Sequence, residues 1–571
     1  MRLQHWLSSC LAIAFSACDG GNSRPAPAAD PDVVAIAQFR TAAAGHRIAE
    51  RKVDGLGGVD LATYVYLPPT GSGPFPVLVM RTPYDLPITP VGGFPEEHPN
   101  AGIEARPEDV GWSEATDRGY ALVVQHLRGR YASDGVFSLF LDEREDGDAL
   151  LRWIEKQPWC NGRIGIFGDS ASGVASLQAA ASGRPSVRAV FAQATSADFL
   201  GGVIFPEGRV KWDALLPFVL SQSFDNGEDH DAQLGLTPEQ VGQLKQQAGQ
   251  ALGEMFDALE AGTPEASTWW TNPITPEFPL ASQLQPRWSE LINAGASATQ
   301  RAALDVTDGI TAPTLHVSLW HDFFQASAFR TFARLQAARG NQKLIVLDGT
   351  HYDIDDPELW PTQPMFPWFD HWLKDAANGV PAWPNVQYTV AGRPAAGLQT
   401  SPTWPPAGVV MQARPLAAPT GALTIQPAAP APTLGGNHLT ASSGMIDQRP
   451  LIGRSDVVEL AGTAMAATTR ITGSASATLQ VLAAGVGDVV VKLVDRRGDG
   501  EVRLLREQPV ALAGAGAVTV DFSGLAYEFD VGSAPGLLVV GTSVPGYVSR
   551  TAPLTGVVQL GTAELRLPLA P

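Results

Sequence analysis

The hydrophobic rhythm of the chain changes twice along its length. From Ile48 to about Ala194, apolar runs of strand length alternate with stretches of helical spacing. Gly58-Val-Asp-Leu-Ala-Thr-Tyr-Val-Tyr-Leu67 alternates with period two and predicts a half-buried strand. Residues 77–80, 121–124, 163–167 and 187–193 read as further strands, and 146–156 as a helix whose apolar stripe is Leu150, Leu151, Trp153 and Ile154. Such alternation predicts a mainly parallel sheet covered by helices. From about Ser196 to Asp308 the pattern turns polar and helical, as in 238–259, with Thr237 the expected cap. Strand patterns resume at 314 and 343 and close with a helix over 365–376. Beyond about Pro381 the chain is rich in Pro, Gly and Ala, with short β-branched runs at 477–482, 488–494 and 536–541. Short strands divided by turn signals predict a β-sandwich. No repeat of fixed period interrupts this order.

One segment of the first region carries chemistry. In Arg163-Ile-Gly-Ile-Phe-Gly-Asp-Ser-Ala-Ser-Gly173 an apolar strand leads into a Gly-flanked serine, and a small-residue helix follows over 174–182. Strand, sharp turn and helix together form the context that exposes a nucleophilic hydroxyl above an α/β sheet. Ser172 stands two places after Ser170, where the usual pattern has glycine, and Gly173 follows one place later. A serine nucleophile needs a base and an acid, and the order Ser, Asp, His is the one found on such sheets. Thr314-Leu-His-Val-Ser-Leu-Trp-His-Asp-Phe-Phe324 leads into Asp322, and Lys343-Leu-Ile-Val-Leu-Asp-Gly-Thr-His351 ends in His351. Both lie just past predicted strands, on the rim where open α/β sheets place their chemistry.

Around these residues the chain resembles the cocaine esterase and X-Pro dipeptidyl-peptidase (CocE/NonD) family of α/β-hydrolases. The resemblance covers nearly everything after about residue 48. It includes Arg81-Thr-Pro-Tyr-Asp85, Arg128-Gly-Arg-Tyr-Ala-Ser-Asp-Gly135, Glu143-Arg-Glu-Asp-Gly-Asp148 and Gln157-Pro-Trp-Cys-Asn-Gly162. Gly168-Asp-Ser170, Trp320-His-Asp322 and Phe369-Asp-His-Trp-Leu373 complete it. The resemblance implies Ser170 as nucleophile, Asp322 as acid and His351 as base. It implies Tyr84 as an oxyanion donor through its phenol, beside the backbone N–H of Ala171. It also implies a helical cap before the acid-bearing strand, overhanging Ser170, and a C-terminal jelly roll. Candidate walls of the acyl pocket are Ile204, Phe205, Trp269, Trp270 and Phe324. The chain departs from the family at Ala171, where Tyr is common, and at His321 in the acid motif. It departs again in Leu347-Asp-Gly-Thr-His351, where Gly-Pro-Trp-x-His is usual. These departures bear on the substrate and remove no catalytic atom.

At 571 residues the chain is long enough for several cores, and its net charge of -19 with no basic block disfavours a nucleic-acid partner. A positive start and a short apolar stretch over 7–17 read as an export signal, too short to span a bilayer. Phe15-Ser-Ala-Cys18 resembles a lipobox, which predicts lipidation at Cys18 and an exported, membrane-tethered enzyme. With Cys10 in the signal and Cys18 lipidated, Cys160 has no disulfide partner. The expected organisation is a signal over 1–17, a tether over 18–33, the hydrolase core over 34–195 and 309–380, a cap over 196–308 and the jelly roll over 381–571.

These readings predict a serine hydrolase of small ester or acyl substrates that needs no metal or organic cofactor. His321-Asp322 and His351-Tyr-Asp353 lack the spacing of a metal motif. X-Pro dipeptide release and α-amino acid ester or β-lactam side-chain cleavage are the alternatives. Both need carboxylates to pair a substrate ammonium. After Asp198 the chain reads Phe199-Leu-Gly-Gly-Val-Ile-Phe-Pro206, which is apolar, and the acidic run Asp225, Glu228, Asp229 and Asp231 suits a solvated loop. A catalytically silent, surface-tethered binding protein is the alternative of another class.

Overall fold

The structure, a computed structural model, describes residues 33–41, 47–84, 111–261, 269, 278, 280–293, 298–353, 364–419, 421–425, 429–439, 443–548 and 555–570. The expected signal, most of the tether, Cys18 and Trp270 lie outside these residues.

One sheet organises the first two thirds of the chain. Its strands are β1 (Arg40–Thr41), β2 (Arg47–Asp54), β3 (Asp60–Leu67), β4 (Phe75–Thr82), β5 (Ala121–His126) and β6 (Cys160–Asp169). They continue as β7 (Val187–Gln193), β8 (Thr314–His321), β9 (Lys343–Thr350), β10 (Val386–Tyr388) and β11 (Gln399–Ser401). The strand order is β1-β2-β3-β5-β4-β6-β7-β8-β9-β10-β11. Every pair from β5 through β4 to β10 is parallel, and the pairs at both edges are antiparallel. This is the mainly parallel sheet that the alternation predicts. The central strands are buried almost throughout, as in β5 and β8, which explains their near-continuous apolar runs.

Helices α1 (Gly111–Asp117), α2 (Glu143–Glu155) and α3 (Ser170–Ala180) belong to the first part of the core. The insert between β7 and β8 holds α4 (Trp212–Ser221), α5 (Glu228–Gln233), α6 (Pro238–Glu260), α7 (Ala281–Leu284), α8 (Trp288–Ile292) and α9 (Ala298–Leu304). The core ends with α10 (Gln325–Arg339) and α11 (Met365–Lys374). Thr237 caps α6 as expected. Its Oγ1 accepts the Gln240 N–H at 3.3 Å while its own N–H donates to Gln240 Oε1 at 2.9 Å, a capping box.

Some boundaries differ from the sequence reading for physical reasons. Helix α2 starts at Glu143 rather than 146, because its acidic first turn suits the helix N-terminus. Buried arginines also hold two of those carboxylates: Arg81 Nη1 lies 2.8 Å from Glu143 and Arg128 Nη2 lies 2.6 Å from Asp146. Helix α11 stops at Lys374, since Asp375 turns left-handed at φ 56°. Strand β2 escaped the sequence reading altogether. Arg47-Ile-Ala-Glu-Arg-Lys-Val-Asp54 carries five charged residues, Arg47, Glu50, Arg51, Lys52 and Asp54, and only Ala49 and Val53 are buried.

The C-terminal region is antiparallel β structure. Its strands are β12 (Val410–Leu416), β13 (Leu423–Ile425), β14 (Val457–Ala461), β15 (Thr469–Gly473), β16 (Ser476–Ala483) and β17 (Val486–Arg496). Then come β18 (Val502–Ala513), β19 (Gly516–Asp521), β20 (Leu525–Phe529), β21 (Ala534–Val540) and β22 (Gly556–Leu569). Strands β14-β21-β17-β18 form one sheet, and the others pair around β22 in a second. Leu460, Val491 and Leu493 of the first share one core with Leu479, Leu565 and Leu567 of the second. Trp320 and Phe329 of the α/β part join that core, so the two parts are packed together.

Four histidines are buried in the α/β part and the insert. Desolvation pushes His126 and His321 down to about 3, helped by the nearby Arg130 and Arg506 charges. Desolvation also pushes His230 and His316 down to about 4, against the hydrogen bonds each makes to Leu284 O and Gln342. All four are neutral in the folded protein at pH 5, whereas an unfolded histidine gains its proton near 6.5. The unfolded state therefore binds more protons as pH falls below 6.5, and stability falls with it. We expect Tm to decline steadily from pH 7 to pH 5, before most carboxylates titrate, and His126→Phe to flatten the decline. Thermal unfolding followed by fluorescence at each pH checks this, and a Tm that is flat or rising over that window would refute it.

Candidate active site

Strand β6 ends at Asp169, and α3 begins at the next residue, Ser170, whose φ is +43°. A non-glycine residue there stores strain of about 1–3 kcal/mol and needs surroundings that hold it. Two glycines permit the geometry. A Cβ on Gly168 would sit 2.9 Å from the Gly173 nitrogen, and one on Gly173 would sit 2.5 Å from Thr195 Cγ2. The close contact thus falls at position 173, where α3 meets Thr195, two residues past β7, and this accounts for the displaced glycine. Ser172, at the position where glycine is usual, donates its hydroxyl to Thr82 Oγ1 at 2.8 Å. Thr195 in turn donates to the Ser170 carbonyl at 2.8 Å.

The three residues singled out from chain order converge. Ser170 Oγ lies 3.0 Å from His351 Nε2, and His351 Nδ1 lies 2.7 Å from Asp322 Oδ2. They stand at the C-terminal ends of β6, β9 and β8, on one rim. Asp322 is fully buried, and its other oxygen accepts the Phe324 N–H at 2.5 Å. A carboxylate that can only accept fixes the proton on Nδ1 and leaves the Nε2 lone pair for the Ser170 hydroxyl. Phe323 and Phe324 flank the imidazole at 4.5 and 6.0 Å between ring centroids. This arrangement can draw a proton from Ser170 and hold the resulting imidazolium against a buried carboxylate.

Tyr84 and Ala171 meet in one apolar cluster with Phe323 and Phe324, and Tyr84 is only partly buried there. The chain leading to Tyr84 is bound on three sides. Its N–H donates to Thr82 Oγ1 at 3.1 Å, the same oxygen that holds Ser172. Arg130 Nε donates to the Pro83 carbonyl at 3.0 Å. Arg81 Nε donates to Gln125 at 2.8 Å, and its Nη1 pairs with Glu143. The backbone that carries Tyr84 is thereby tied to the first turn of α3. Ala171, the second residue of that helix, has an N–H without an intrahelical acceptor.

Ile204, Phe205 and Phe324 are buried in this cluster, together with Phe199, Leu200 and Val203. Trp269 packs against it, with Nε1 donating to Glu254 at 2.8 Å and its carbonyl accepting from Trp212. Asp225 and Glu228 of the acidic run are exposed to solvent, while Asp198, Asp229 and Asp231 are engaged by other partners. Asp198 pairs with Arg330 at 2.9 Å and caps the Gly201 N–H, Asp231 pairs with Lys245 at 2.6 Å, and Asp229 accepts the Gly135 N–H. Sequence reasoning did not find the supporting groups Thr82, Arg130 and Thr195. The first two fall inside motifs it had quoted, but nothing in their spacing distinguishes a tie from a surface residue. Cys160 is a free thiol packed against the core and accepts the Gly162 N–H at 3.3 Å.

Comparison with known proteins places the chain in a family. The family model for X-Pro dipeptidyl-peptidase (S15 family) matches residues 54–353. The chain is similar to the cocaine esterase of Rhodococcus sp. (strain MB1 Bresler), 28% identical over 495 residues, which is 78% of this chain and 79% of that one. Its fold is similar to that of an α-amino acid ester hydrolase, with a TM-score of 0.64 at 18% identity over 96% of this chain and 98% of the other. A CocE/NonD family hydrolase from Staphylococcus aureus gives 0.59 at 16% identity, over 92% and 94%. The chain belongs to the cocaine esterase and X-Pro dipeptidyl-peptidase (CocE/NonD, S15) family of α/β-hydrolases, serine hydrolases that act on esters or X-Pro peptides.

Proposed function

We propose that the protein is a carboxylesterase that uses Ser170, His351 and Asp322 as a triad and passes through an acyl-enzyme. The observation that carries this reading is the continuous chain from Ser170 Oγ through His351 to the buried Asp322, at 3.0 and 2.7 Å. His351 Nε2 takes the hydroxyl proton while Ser170 Oγ attacks the ester carbonyl, whose electrons move onto oxygen. The Ala171 N–H and the Tyr84 hydroxyl donate to that oxyanion, neither carrying a charge of its own. As the intermediate collapses, the C–O bond to the leaving alcohol breaks, and His351 returns the proton to that alcohol. Water then repeats the sequence on the acyl-enzyme and frees the acid. Asp322 holds the imidazole tautomer and stabilises the imidazolium.

The apolar wall of Ile204, Phe205 and Phe324 supports uncharged acyl groups as substrates. An α-ammonium beside such a wall would lose its hydration with no carboxylate to replace it. Export and lipidation at Cys18 belong to the same proposal and rest on the sequence alone.

Removing the nucleophile should abolish turnover: Ser170→Ala should lower kcat/KM for p-nitrophenyl butyrate by about 10⁵-fold or more without changing Tm. Turnover that survives the substitution would refute the triad. Tyr84→Phe should lower kcat by about 10²-fold with a much smaller change in KM, because the phenol acts mainly on the developing oxyanion. An equal rise in KM with kcat unchanged would place Tyr84 in ground-state binding instead. In a panel of p-nitrophenyl esters, an aminoacyl ester and an X-Pro anilide, the simple esters should give the highest kcat/KM. Preference for either charged substrate would overturn the apolar-pocket reading. Silence on all of them would favour a ligand-binding role.

A further inference from the structure

The helical insert and the β-rich domain meet through a buried chain of charges that the hydrolytic steps do not use. Lys211 and Asp213 stand at the start of α4, His438 in the segment between β13 and β14, Lys492 on β17 and Glu507 on β18. The five side chains are at most 3% exposed. Lys211 Nζ donates to His438 Nδ1 at 2.9 Å, His438 Nε2 meets Glu507 Oε1, and Lys492 Nζ donates to Glu507 Oε2 at 2.7 Å. Asp213 Oδ2 accepts the Leu439 N–H at 2.8 Å and lies 3.2 Å from His438 Nδ1. The Tyr547 ring lies 4.8 Å from the Lys211 ammonium and 5.3 Å from the His438 ring. Two lysines and two carboxylates thus meet around one histidine, and both of its ring nitrogens have a partner. Such a cluster adds little net stability because all its members must be desolvated. It is nevertheless strict about position, since losing one member leaves another charge buried and unpaired.

Backbone bonds carry that strictness into the site. Val210 and Val548 exchange N–H···O bonds of 2.9 and 3.0 Å, and the Asp213 N–H donates to the Pro545 carbonyl at 3.1 Å. The Lys211 N–H donates to the Ile204 carbonyl at 3.3 Å, so the charged cluster is joined directly to a residue of the apolar cluster that also holds Ala171. The cluster is also within electrostatic range of the triad: the Asp322 carboxylate acts on Lys211, and Asp213 acts on Tyr352, the residue after His351.

We propose that the β-rich domain sets acyl selectivity through this latch, with His438 the positioning residue that fixes how far the Ile204–Phe205 wall stands from Ser170. The proposal rests on the esterase reading and deepens it. A longer acyl chain must push the wall toward α4, and α4 cannot retreat without unpairing a buried charge. The intact latch therefore favours short acyl groups, and a loosened one admits longer ones.

The test compares kcat/KM for p-nitrophenyl acetate and octanoate in the wild-type protein, His438→Asn and Lys211→Met, each well below its own Tm. The ratio of octanoate to acetate should rise about fivefold or more in both variants, a shift on the scale that pocket contacts to a few methylenes produce. A ratio within about twofold of wild type in folded variants whose Tm has fallen would reduce the latch to a structural bond and overturn the proposal. If Lys211→Met does not fold, His438→Asn decides alone, because its amide still offers Lys211 an acceptor. Wild-type protein inactive on both esters would overturn the esterase reading, and the latch proposal with it.

Discussion

Everything at the site depends on the backbone at Ser170 being forced to φ +43° between a strand and a helix that touch. The strain is held because α3 cannot move away. Its residues from Ala171 to Ala180 are all buried, and they are small enough to lie against β4, β6 and β7 at once. A second contact locks the helix from its other side. A Cβ on Gly147 of α2 would fall 2.4 Å from Ala179 Cβ, so the two helices meet at a glycine just as α3 and Thr195 do. With α3 fixed, the Ser170 hydroxyl has one place to be, and His351 reaches it from β9 while Asp322 reaches His351 from β8. The hydrogen-bond distances of the triad follow from the packing of small residues some way from it.

The charged motifs beside the nucleophile belong to this scaffold. Arg81 and Glu143 form one buried pair and Arg128 and Asp146 another, with Arg81 also 3.9 Å from Asp146. Together they join the end of β4 to the first turn of α2 and the segment after β5. Buried ion pairs are poor net stabilisers, because desolvation offsets most of their attraction, but they admit few alternative arrangements. Here the segment so placed is Arg81-Thr-Pro-Tyr84, which carries the phenol. Arg130 extends the same logic: its guanidinium holds the Pro83 carbonyl on one side and Asn226 of the insert on the other. Tyr84, α3 and the insert are thereby referred to one another through polar ties, while the surfaces between them remain apolar.

The strands, the turn at Ser170 and the convergence of Ser170, Asp322 and His351 were legible because each has a local signature. Buried parallel strands read as continuous apolar runs, the Ser170 turn announces itself through flanking glycines, and Asp322 and His351 follow strand patterns directly. Strand β2 was not legible, because an edge-proximal strand with a charged outer face loses the apolar alternation that identifies it. The role of Gly173 was half legible. Its displacement by one place could be seen, but the contact that requires it lies with Thr195, beyond the helix and strand that intervene. The Lys211–His438–Glu507 cluster was illegible for a stronger reason. Its members stand 227 and 69 residues apart, and each alone is an ordinary lysine, histidine or glutamate.

The same separation between local signature and long-range contact explains why reaction class is easier to read than substrate. The chemistry needs a handful of atoms at fixed positions on strand ends, and the residues that would carry them follow local strand patterns. On the proposed reading, selectivity depends on the apolar cluster that holds Ala171, to which the insert contributes Ile204 and Phe205 and the segment after β8 contributes Phe324. Placing a charged amine against these side chains costs several kcal/mol unless a carboxylate replaces the lost water. Asp198, Asp229 and Asp231 are already engaged by Arg330, the Gly135 N–H and Lys245. Releasing any of them to meet a substrate would break a tie within the insert or between it and the core. An uncharged acyl group asks for no such release, and it gains by burying its carbons against the wall. The preference for neutral esters proposed above thus has the same origin as the ties of the insert: Asp198, Asp229 and Asp231 already have partners.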